Sequence, residues 1–171
     1  NKKIKNLTMY NKNSLKVVSY LAIVALLVSL YLLYIHFAPS HSEVCNLSDT
    51  VNCDVVNKSS YAELFNVPVS LWGAITFIGI LFLSELIQRN KTYKFLNKKI
   101  TPKTLYLTLI VILTFSIFFA IYLLYIEFYV LYALCMFCVV LDFLILEMFI
   151  LSIKAQGGDK LAVKKTKKTT K

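Results

Sequence analysis

Residues 131–153 read LYALCMFCVVLDFLILEMFILSI, an apolar run that carries two cysteines and two acids. A run of this length matches one helical crossing of a bilayer, whose hydrocarbon core requires ~20 residues of helix. Three further runs of similar length precede it, at 17–37, 67–87 and 105–126. The sequence therefore predicts an all-α integral membrane protein, in which 17–153 forms a bundle of four transmembrane helices.

The composition excludes most other classes of protein. Hydrophobic residues make up 58 % of the chain and charged residues only 16 %, whereas soluble proteins average roughly 25 % charged residues. The run at 17–37 exceeds the ~7–15 apolar residues of a signal peptide, so we expect it to remain as an anchor. Because few residues separate the third and fourth runs, the sequence also predicts a tight helical hairpin between them.

The basic residues alternate between the segments that flank the runs. Counted from the N-terminus, the arm, three loops and tail hold 5, 1, 6, 0 and 7 Lys or Arg residues. Cytoplasmic loops carry the excess of Lys and Arg, so both termini and the second loop are expected to be cytoplasmic. The arm at 1–16, the second loop and the tail at 154–171, which is expected to be disordered, hold 18 of the 19 Lys and Arg residues that give the chain its net charge of +10. We attribute this charge to topology and the membrane surface rather than to nucleic-acid binding.

The four cysteines fall on one side of this topology. Cys45 and Cys53 lie in the first outer loop, and Cys135 and Cys138 lie near the outer start of the fourth run. Thiols on the extracytoplasmic side are exposed to an oxidising environment. The sequence thus predicts a multi-pass protein of the cell membrane, or of the ER membrane in a eukaryote, with a cysteine site on its extracytoplasmic face.

The two cysteine pairs differ in character. Cys45 and Cys53 belong to a polar segment that can meet a soluble partner, whereas Cys135 and Cys138 form a C-x-x-C at a helix start, where thiols exchange disulfides readily. A redox relay accounts for the pairing and the placement together. Two structural disulfides, a zinc site and free buried thiols remain as alternatives. No metal site is predicted, because the spacing of seven residues between the first two cysteines is wide for zinc.

The order and spacing of these elements resemble the vitamin K epoxide reductase family in its stand-alone prokaryotic form, over residues 20–153. The matching elements are Cys45-x7-Cys53, then 54–62 (DVVNKSSYA), then 67–73 (VPVSLWG), and Cys135-x-x-Cys138.

The resemblance implies a four-helix bundle around a quinone, with a cap formed by the loop and a short helix between helices 1 and 2. It makes Cys45 and Cys53 the pair that exchanges with a thioredoxin-like extracytoplasmic protein. Cys135 would receive electrons from the loop, and Cys138 would lie nearest the quinone. The quinone would be of the menaquinone, ubiquinone or vitamin K type.

Three further positions follow from the same comparison. Ser59 matches a serine that helps to place the active-site group, although local chemistry favours equally an N-cap for a short helix at 61–65. Vertebrate members hold the vitamin K ring with an Asn and a Tyr, where this chain has Val69 and Asp142. Asp142 lies one helical turn beyond Cys138, and a buried protonated carboxyl there would donate a hydrogen bond to a quinone oxygen. An interhelical hydrogen bond of Asp142 is the alternative.

These observations predict a membrane thiol–disulfide oxidoreductase that oxidises a thioredoxin-like partner and passes the electrons to a quinone. A vitamin K or quinone epoxide reductase is the enzymatic alternative. A non-enzymatic membrane protein stapled by disulfides is the alternative from another class.

Overall fold

The computed structural model describes residues 11–38, 45, 46, 48, 50–89, 93–95 and 98–168, and for 93–95, 98–100 and 157–168 it describes the backbone alone. The helices are α1 (Lys12–Phe37), α2 (Cys53–Asn57), α3 (Val69–Arg89), α4 (Pro102–Ile126) and α5 (Met136–Lys168). Two antiparallel pairs of short strands join β1 (Glu63–Leu64) to β2 (Val67–Pro68), and β3 (Tyr93–Phe95) to β4 (Lys98–Ile100).

Four of these helices form the predicted bundle. The stretches long and apolar enough to cross a membrane are Lys12–Phe37, Val69–Arg89, Pro102–Leu131 and Met136–Gln156. Helix α1 contacts α3 and α5, and α4 contacts the same two helices, so the bundle is a closed ring of four neighbours. The protein is therefore a multi-pass membrane protein, as the sequence predicts. Its orientation in the membrane stays a prediction.

Small residues allow α1 to approach its neighbours closely. Ala22, Ala25 and Ser29 are fully buried and lie on one face of α1. Without a hydrophobic driving force between helices in lipid, such small residues favour packing of the backbones. Hydroxyl groups add to this contact, since Ser19 and Ser84 share a hydrogen bond of 2.8 Å between α1 and α3.

The predicted hairpin between the third and fourth spans is confirmed, but the fourth helix starts later than residue 131. Residues Glu127–Leu131 continue α4 as one π-helical turn, and Tyr132 then adopts a left-handed conformation with φ of 49°. A left-handed residue ends a helix, because it cannot continue the right-handed ladder. Helix α5 consequently begins at Met136, directly after Cys135.

The other boundaries differ by a few residues. Helix α1 begins at Lys12 because the side chain of Asn11 caps it, accepting a hydrogen bond of 3.0 Å from the N–H of Asn13. The second span begins at Val69 because residues 67 and 68 pair as a strand. Helix α5 continues to Lys168, beyond the predicted end at 153 and into the segment predicted to be disordered. The division into arm, membrane domain and tail stays a prediction, and residues 1–10 of the arm lie outside the described residues.

The ends of the bundle are set by contacts between distant segments. The N–H of Asn11 donates a hydrogen bond of 3.1 Å to the carbonyl of Ala155, so the start of α1 meets the far part of α5. The described residues between 45 and 68 cover the opposite end, and we call this segment the cap. Cap residues and the start of α5 share a buried apolar cluster that includes Leu32 and Ile35 of α1.

Candidate functional site

The structure brings the four cysteines to the cap end of the bundle. Cys45 and Cys53 are joined by a disulfide, and their Cα atoms are 5.6 Å apart. Cys135 and Cys138 are free thiols. Cys45, Cys53 and Cys135 are buried in one apolar cluster, against which Cys138 packs. The sequence left the resting disulfide pattern open, so the pairing in the cap is a finding of the structure.

Backbone hydrogen bonds tie the cap to the start of α5. The N–H of Asn52 donates to the carbonyl of Leu134 at 3.0 Å, and the N–H of Leu134 donates to the carbonyl of Thr50 at 2.7 Å. Val51 and Leu134 thus form an isolated parallel bridge. Cys53 follows Asn52 and Cys135 follows Leu134, so the bridge brings the segments that carry these two cysteines together, and both cysteines belong to one buried cluster. Both are fully buried.

Cys135 occupies the position before the first turn of α5. Its Sγ accepts a hydrogen bond of 3.2 Å from the N–H of Cys138, in the manner of a capping side chain. The N–H groups of a first helical turn have no partner within the helix, and the helix dipole favours negative charge there. The Cys135 sulfur thus lies at the N-terminal end of α5, the position that the C-x-x-C pattern predicts.

A hydrogen bond between two side chains joins the residues that follow the two cap cysteines. The side-chain N–H of Asn46 donates to Oδ2 of Asp54 at 2.6 Å, and Lys58 pairs with Oδ1 of Asp54 at 3.3 Å. Asn46 follows Cys45, and Asp54 follows Cys53. The two residues therefore keep both ends of the disulfide together independently of the S–S bond.

Three side chains fasten the cap to α1. The side chain of Asn57 donates to the carbonyl of Leu32 at 2.6 Å, and its own carbonyl lies 2.6 Å from Nδ1 of His36. The other ring nitrogen of His36 is 3.5 Å from Oε1 of Glu63. The sequence analysis assigned no role to these three side chains. Asn57 lies within the matching element 54–62, but nothing in that element links it to His36, 21 residues earlier.

Ser59 does not cap a helix through its side chain. Its hydroxyl donates to the carbonyl of Val56 at 2.7 Å, and the segment that follows is a single 3₁₀ turn, Ser60–Ala62, leading into β1. The alternative interpretation of Ser59 as a side-chain N-cap for a helix at 61–65 is therefore wrong. Ser59 instead lines the cavity described next.

A cavity of about 260 Å³ lies between the cap and the bundle. Its walls are largely apolar and include aromatic side chains of α3 and α4, such as Trp72 and Phe119. Cys138 is the one cysteine of the four that lines it, together with Ser59 and Asp142. An apolar cavity with a few polar groups is typical of sites for small organic molecules. These walls suit a flat apolar ring such as that of a quinone.

All three positions taken from the family resemblance, Ser59, Val69 and Asp142, line the same cavity as Cys138. Val69 and Asp142, which stand where vertebrate relatives are expected to hold the vitamin K ring, both line the cavity. In the described part of the chain, no three His, Cys, Asp or Glu side chains are grouped as metal ligands. Cys138, Ser59, Val69 and Asp142 therefore converge on this cavity, whereas the other three cysteines do not line it.

Glu127 is a residue of this site that the sequence analysis missed. It is only 3 % exposed, and its Oε2 accepts a hydrogen bond of 3.0 Å from the N–H of Cys135. Its signal in the sequence is an acid at the end of an apolar run, eight residues before Cys135. From the sequence alone, an acid in a hairpin between two spans is expected to be exposed to solvent. The fold instead turns the Glu127 side chain inward.

Comparison with known protein families matches residues 16–153 to one of them, described as the Vitamin K epoxide reductase family. No curated protein sequence matches the chain at a significant level. The family match covers all four spans and all four cysteines, and it agrees with the four-helix fold and the cysteine site. The chain therefore belongs to the vitamin K epoxide reductase family.

Proposed function

We propose that this protein is a quinone-dependent thiol–disulfide oxidoreductase of the membrane. The family is one of oxidoreductases, which supports a redox role in general. The observation that carries the finer proposal is the arrangement of the cysteines. Cys53 and Cys135 belong to one buried cluster and directly follow the hydrogen-bonded residues Asn52 and Leu134, and Cys138 lies on the wall of an apolar cavity.

The proposed net reaction oxidises two thiols of an extracytoplasmic, thioredoxin-like protein to a disulfide. A thiolate of this partner attacks the Cys45–Cys53 disulfide, and a second thiolate resolves the mixed disulfide, leaving Cys45 and Cys53 reduced. Cys53 then attacks the Cys135–Cys138 disulfide that an earlier round of quinone reduction has formed, and Cys45 resolves the Cys53–Cys135 bridge. The Cys45–Cys53 disulfide is restored, and Cys135 and Cys138 carry the electron pair as thiols. Two electrons and two protons finally pass from these thiols to the quinone, which leaves as the quinol.

The cap and the helix start support these steps by holding the thiols in place. The Asn46–Asp54 contact keeps Cys45 and Cys53 near each other when their disulfide is open. The first turn of α5 holds the Cys135 sulfur through the N–H of Cys138. The apolar walls around Cys138 exclude water from the sulfur that would face the quinone. When bound, a quinone supplies an acceptor for the electron pair.

The cavity also bears on the alternative function as an epoxide reductase. Val69 offers no hydrogen bond where the family resemblance predicts an Asn that holds the vitamin K ring, and Asp142 replaces a Tyr. This difference favours plain quinone reduction over epoxide reduction. The positive-inside pattern supports an extracytoplasmic position of the cysteine site.

The test uses the purified full chain in detergent, with a water-soluble quinone as acceptor. We expect the wild type to reduce the quinone with either a small dithiol or a reduced thioredoxin-like protein as donor, and Cys138→Ser to lose both activities. Cys45→Ala should lose the reaction with the protein donor and keep part of the reaction with the small dithiol. This difference arises because only the protein donor depends on the cap pair.

A wild type that reduces no quinone with either donor would contradict the proposal and favour a stapled, non-enzymatic protein. Offering vitamin K epoxide in place of the quinone tests the other alternative. Turnover of the epoxide at the rate of the quinone would identify an epoxide reductase.

A further inference from the structure

Glu127 is a buried carboxyl with a fixed position at the cysteine site. Its Oε2 accepts the hydrogen bond from the N–H of Cys135, and its backbone carbonyl accepts one of 3.2 Å from the N–H of Ala133. The π-helical turn between α4 and α5 holds both contacts. The side chain is therefore anchored directly beneath the start of α5.

The surroundings of Glu127 hold few groups that exchange protons. Glu127 and Cys138 line the same cavity and share Cys135 as a neighbour, since the N–H of Cys135 donates to Oε2 of Glu127 and the N–H of Cys138 donates to Sγ of Cys135. The Asp142 carboxyl, one turn further along α5, lines the cavity as well, and the free Cys135 thiol is the other group of this cluster that exchanges protons. The cap adds the phenol of Tyr61, while α1, α3 and α4 contribute apolar, hydroxyl and indole side chains to the cavity. No Lys, Arg or His side chain is among the described residues that line it.

Oxidation of the Cys135–Cys138 pair requires a nearby group that accepts protons from the two thiols. Forming one S–S bond from two thiols releases two protons, and a thiol must lose its proton to become the attacking thiolate. Cys135 is fully buried and Cys138 faces the apolar cavity, so bulk water is a poor acceptor for these protons. The Glu127 carboxyl lines the same cavity as Cys138 and accepts the N–H of Cys135, so it is placed to take up such a proton.

We propose that Glu127 shares a proton with the Cys138 thiol and carries that proton during oxidation of the pair. This proposal rests on the function proposed above. As the Cys135–Cys138 bond forms, the two thiols give up two electrons and two protons, and the quinone gains both. Glu127 takes up the Cys138 proton and passes it to a quinone oxygen, so that the carboxylate ends the cycle unchanged.

A purely structural role for Glu127 makes a different prediction. If the side chain only holds the N–H of Cys135, then Glu127→Gln should serve as well, because the amide oxygen accepts the same hydrogen bond. If the side chain carries a proton, Glu127→Gln should fail, because an amide does not take up a proton at neutral pH.

The first experiment needs no quinone. In a Cys135→Ala background, Cys138 is the one free thiol, and iodoacetamide modification of Cys138 is followed by mass spectrometry between about pH 6 and about pH 8. When a thiol and a carboxyl share one proton, the thiolate fraction changes little with pH between the two titrations of the pair. A thiol that titrates alone loses reactivity about tenfold for each unit by which the pH falls.

We therefore expect a nearly flat profile with Glu127 in place and a slope of about tenfold per pH unit after Glu127→Gln. At about pH 6, iodoacetamide should modify Cys138 more slowly in the Glu127→Gln variant than in the protein that keeps Glu127. Parallel profiles, or a faster variant at every pH, would show that Glu127 acts only as a neighbouring charge and would overturn the proposal. If Glu127→Gln does not fold, the profile with Glu127 in place decides alone, since a tenfold slope there contradicts proton sharing.

The second experiment measures quinone reduction by the pre-reduced, full-length protein. We expect Glu127→Gln to slow the reaction about 100-fold, the lower end of what general acid–base groups contribute. Glu127→Asp, which keeps a carboxyl, should recover part of the rate. Glu147→Gln is the matched control, because Glu147 is exposed on α5 away from the cavity, and it should react as the wild type does.

The two experiments separate the two proposals. A flat profile in the Cys135→Ala protein, together with a wild type that reduces no quinone, keeps the shared proton and refutes the oxidoreductase function. A wild type that reduces quinone in a Cys138-dependent way, with Glu127→Gln at the same rate across the pH range, keeps the function and refutes the role of Glu127.

Discussion

Asn52 donates its backbone N–H to the carbonyl of Leu134 across 3.0 Å, and this hydrogen bond joins the cap to the start of α5. Each of the two residues directly precedes a buried cysteine, Cys53 in the cap and Cys135 in the bundle. The two cysteine pairs of the sequence therefore meet through their backbones, and the contact exists while Cys53 is bonded to Cys45. Four predictions follow from this site and its setting.

The first prediction concerns transfer between the pairs. Cys138→Ala removes the thiol that would resolve a bridge to Cys135, so a Cys53–Cys135 disulfide should accumulate and Cys45 should become free. Non-reducing mass spectrometry identifies the bridged peptides. Cys135→Ala is the control and should retain the Cys45–Cys53 bond. A Cys138→Ala protein that contains only Cys45–Cys53 would show that the two pairs do not exchange.

The second prediction concerns topology. Cys45 and Cys53 are buried, so they are poor targets for reagents. Ser48 in the cap and Lys103 at the start of α4 are exposed and lie at opposite ends of the bundle. In intact cells, a membrane-impermeant maleimide should label Ser48→Cys above the parent protein, and Lys103→Cys only after permeabilisation. The reverse pattern would place the cysteine site in the cytoplasm.

The third prediction concerns Asp142. The side chain lines the cavity one turn beyond Cys138, so its carboxyl is placed to donate a hydrogen bond to a ligand and to supply a proton. Asp142→Asn keeps a donor but cannot release a proton, and we expect quinone reduction to slow about 100-fold. Steady-state rates across the pH range provide the measurement. Wild-type rates for Asp142→Asn would exclude the proton role, and full activity of Asp142→Leu would exclude the hydrogen bond as well.

The fourth prediction concerns the contact between α1 and α3 beside the cavity. A Cβ atom added at Gly73 would lie 3.1 Å from Oγ of Ser29, a buried hydroxyl without a hydrogen-bond partner. Overpacking of this kind costs about 1–3 kcal/mol. Gly73→Ala should lower the unfolding temperature measured in detergent, and Ser29→Ala should restore it in the double variant. As a control, Gly79→Ala should be tolerated, because a Cβ there meets nothing within 4 Å. Equal melting of Gly73→Ala and the wild type would show that the helices shift without cost.

Much of the fold could be predicted from the sequence, because the length and hydrophobicity of one continuous run decide whether that run can span a membrane. A run such as 17–37 is long and apolar enough to span a bilayer whatever its neighbours are. The boundaries were less certain, since they depend on short-range contacts that leave weak signals. Asn11 caps α1 through its own side chain. The start of α5 instead depends on the left-handed conformation of Tyr132, and Tyr132 is neither a glycine nor followed by a proline that would predict a turn there.

The candidate site divides in the same way. The four cysteines, Ser59 and Asp142 were identified from their spacing and from the family resemblance, and the structure gathers Ser59, Asp142 and Cys138 at one cavity. Glu127 and the fastening pair His36 and Asn57 were not identified. Glu127 is eight residues from its partner Cys135, and His36 is 21 residues from Asn57, so no helical periodicity reveals these contacts, although Cys135 and Asn57 stand within the quoted motifs.

The sequence by itself determined the number of membrane-spanning helices, their hydrophobic lengths and the segments that carry thiols, because each of these is a property of a continuous stretch of chain. Only the tertiary structure decided that Cys45 is bonded to Cys53, that Cys53 and Cys135 share one buried cluster, and that the Glu127 carboxyl turns inward to the N–H of Cys135. These contacts join segments separated by the bundle or by a reversal of the chain. Their geometry depends on how four helices pack against one another and on how the cap settles over their ends.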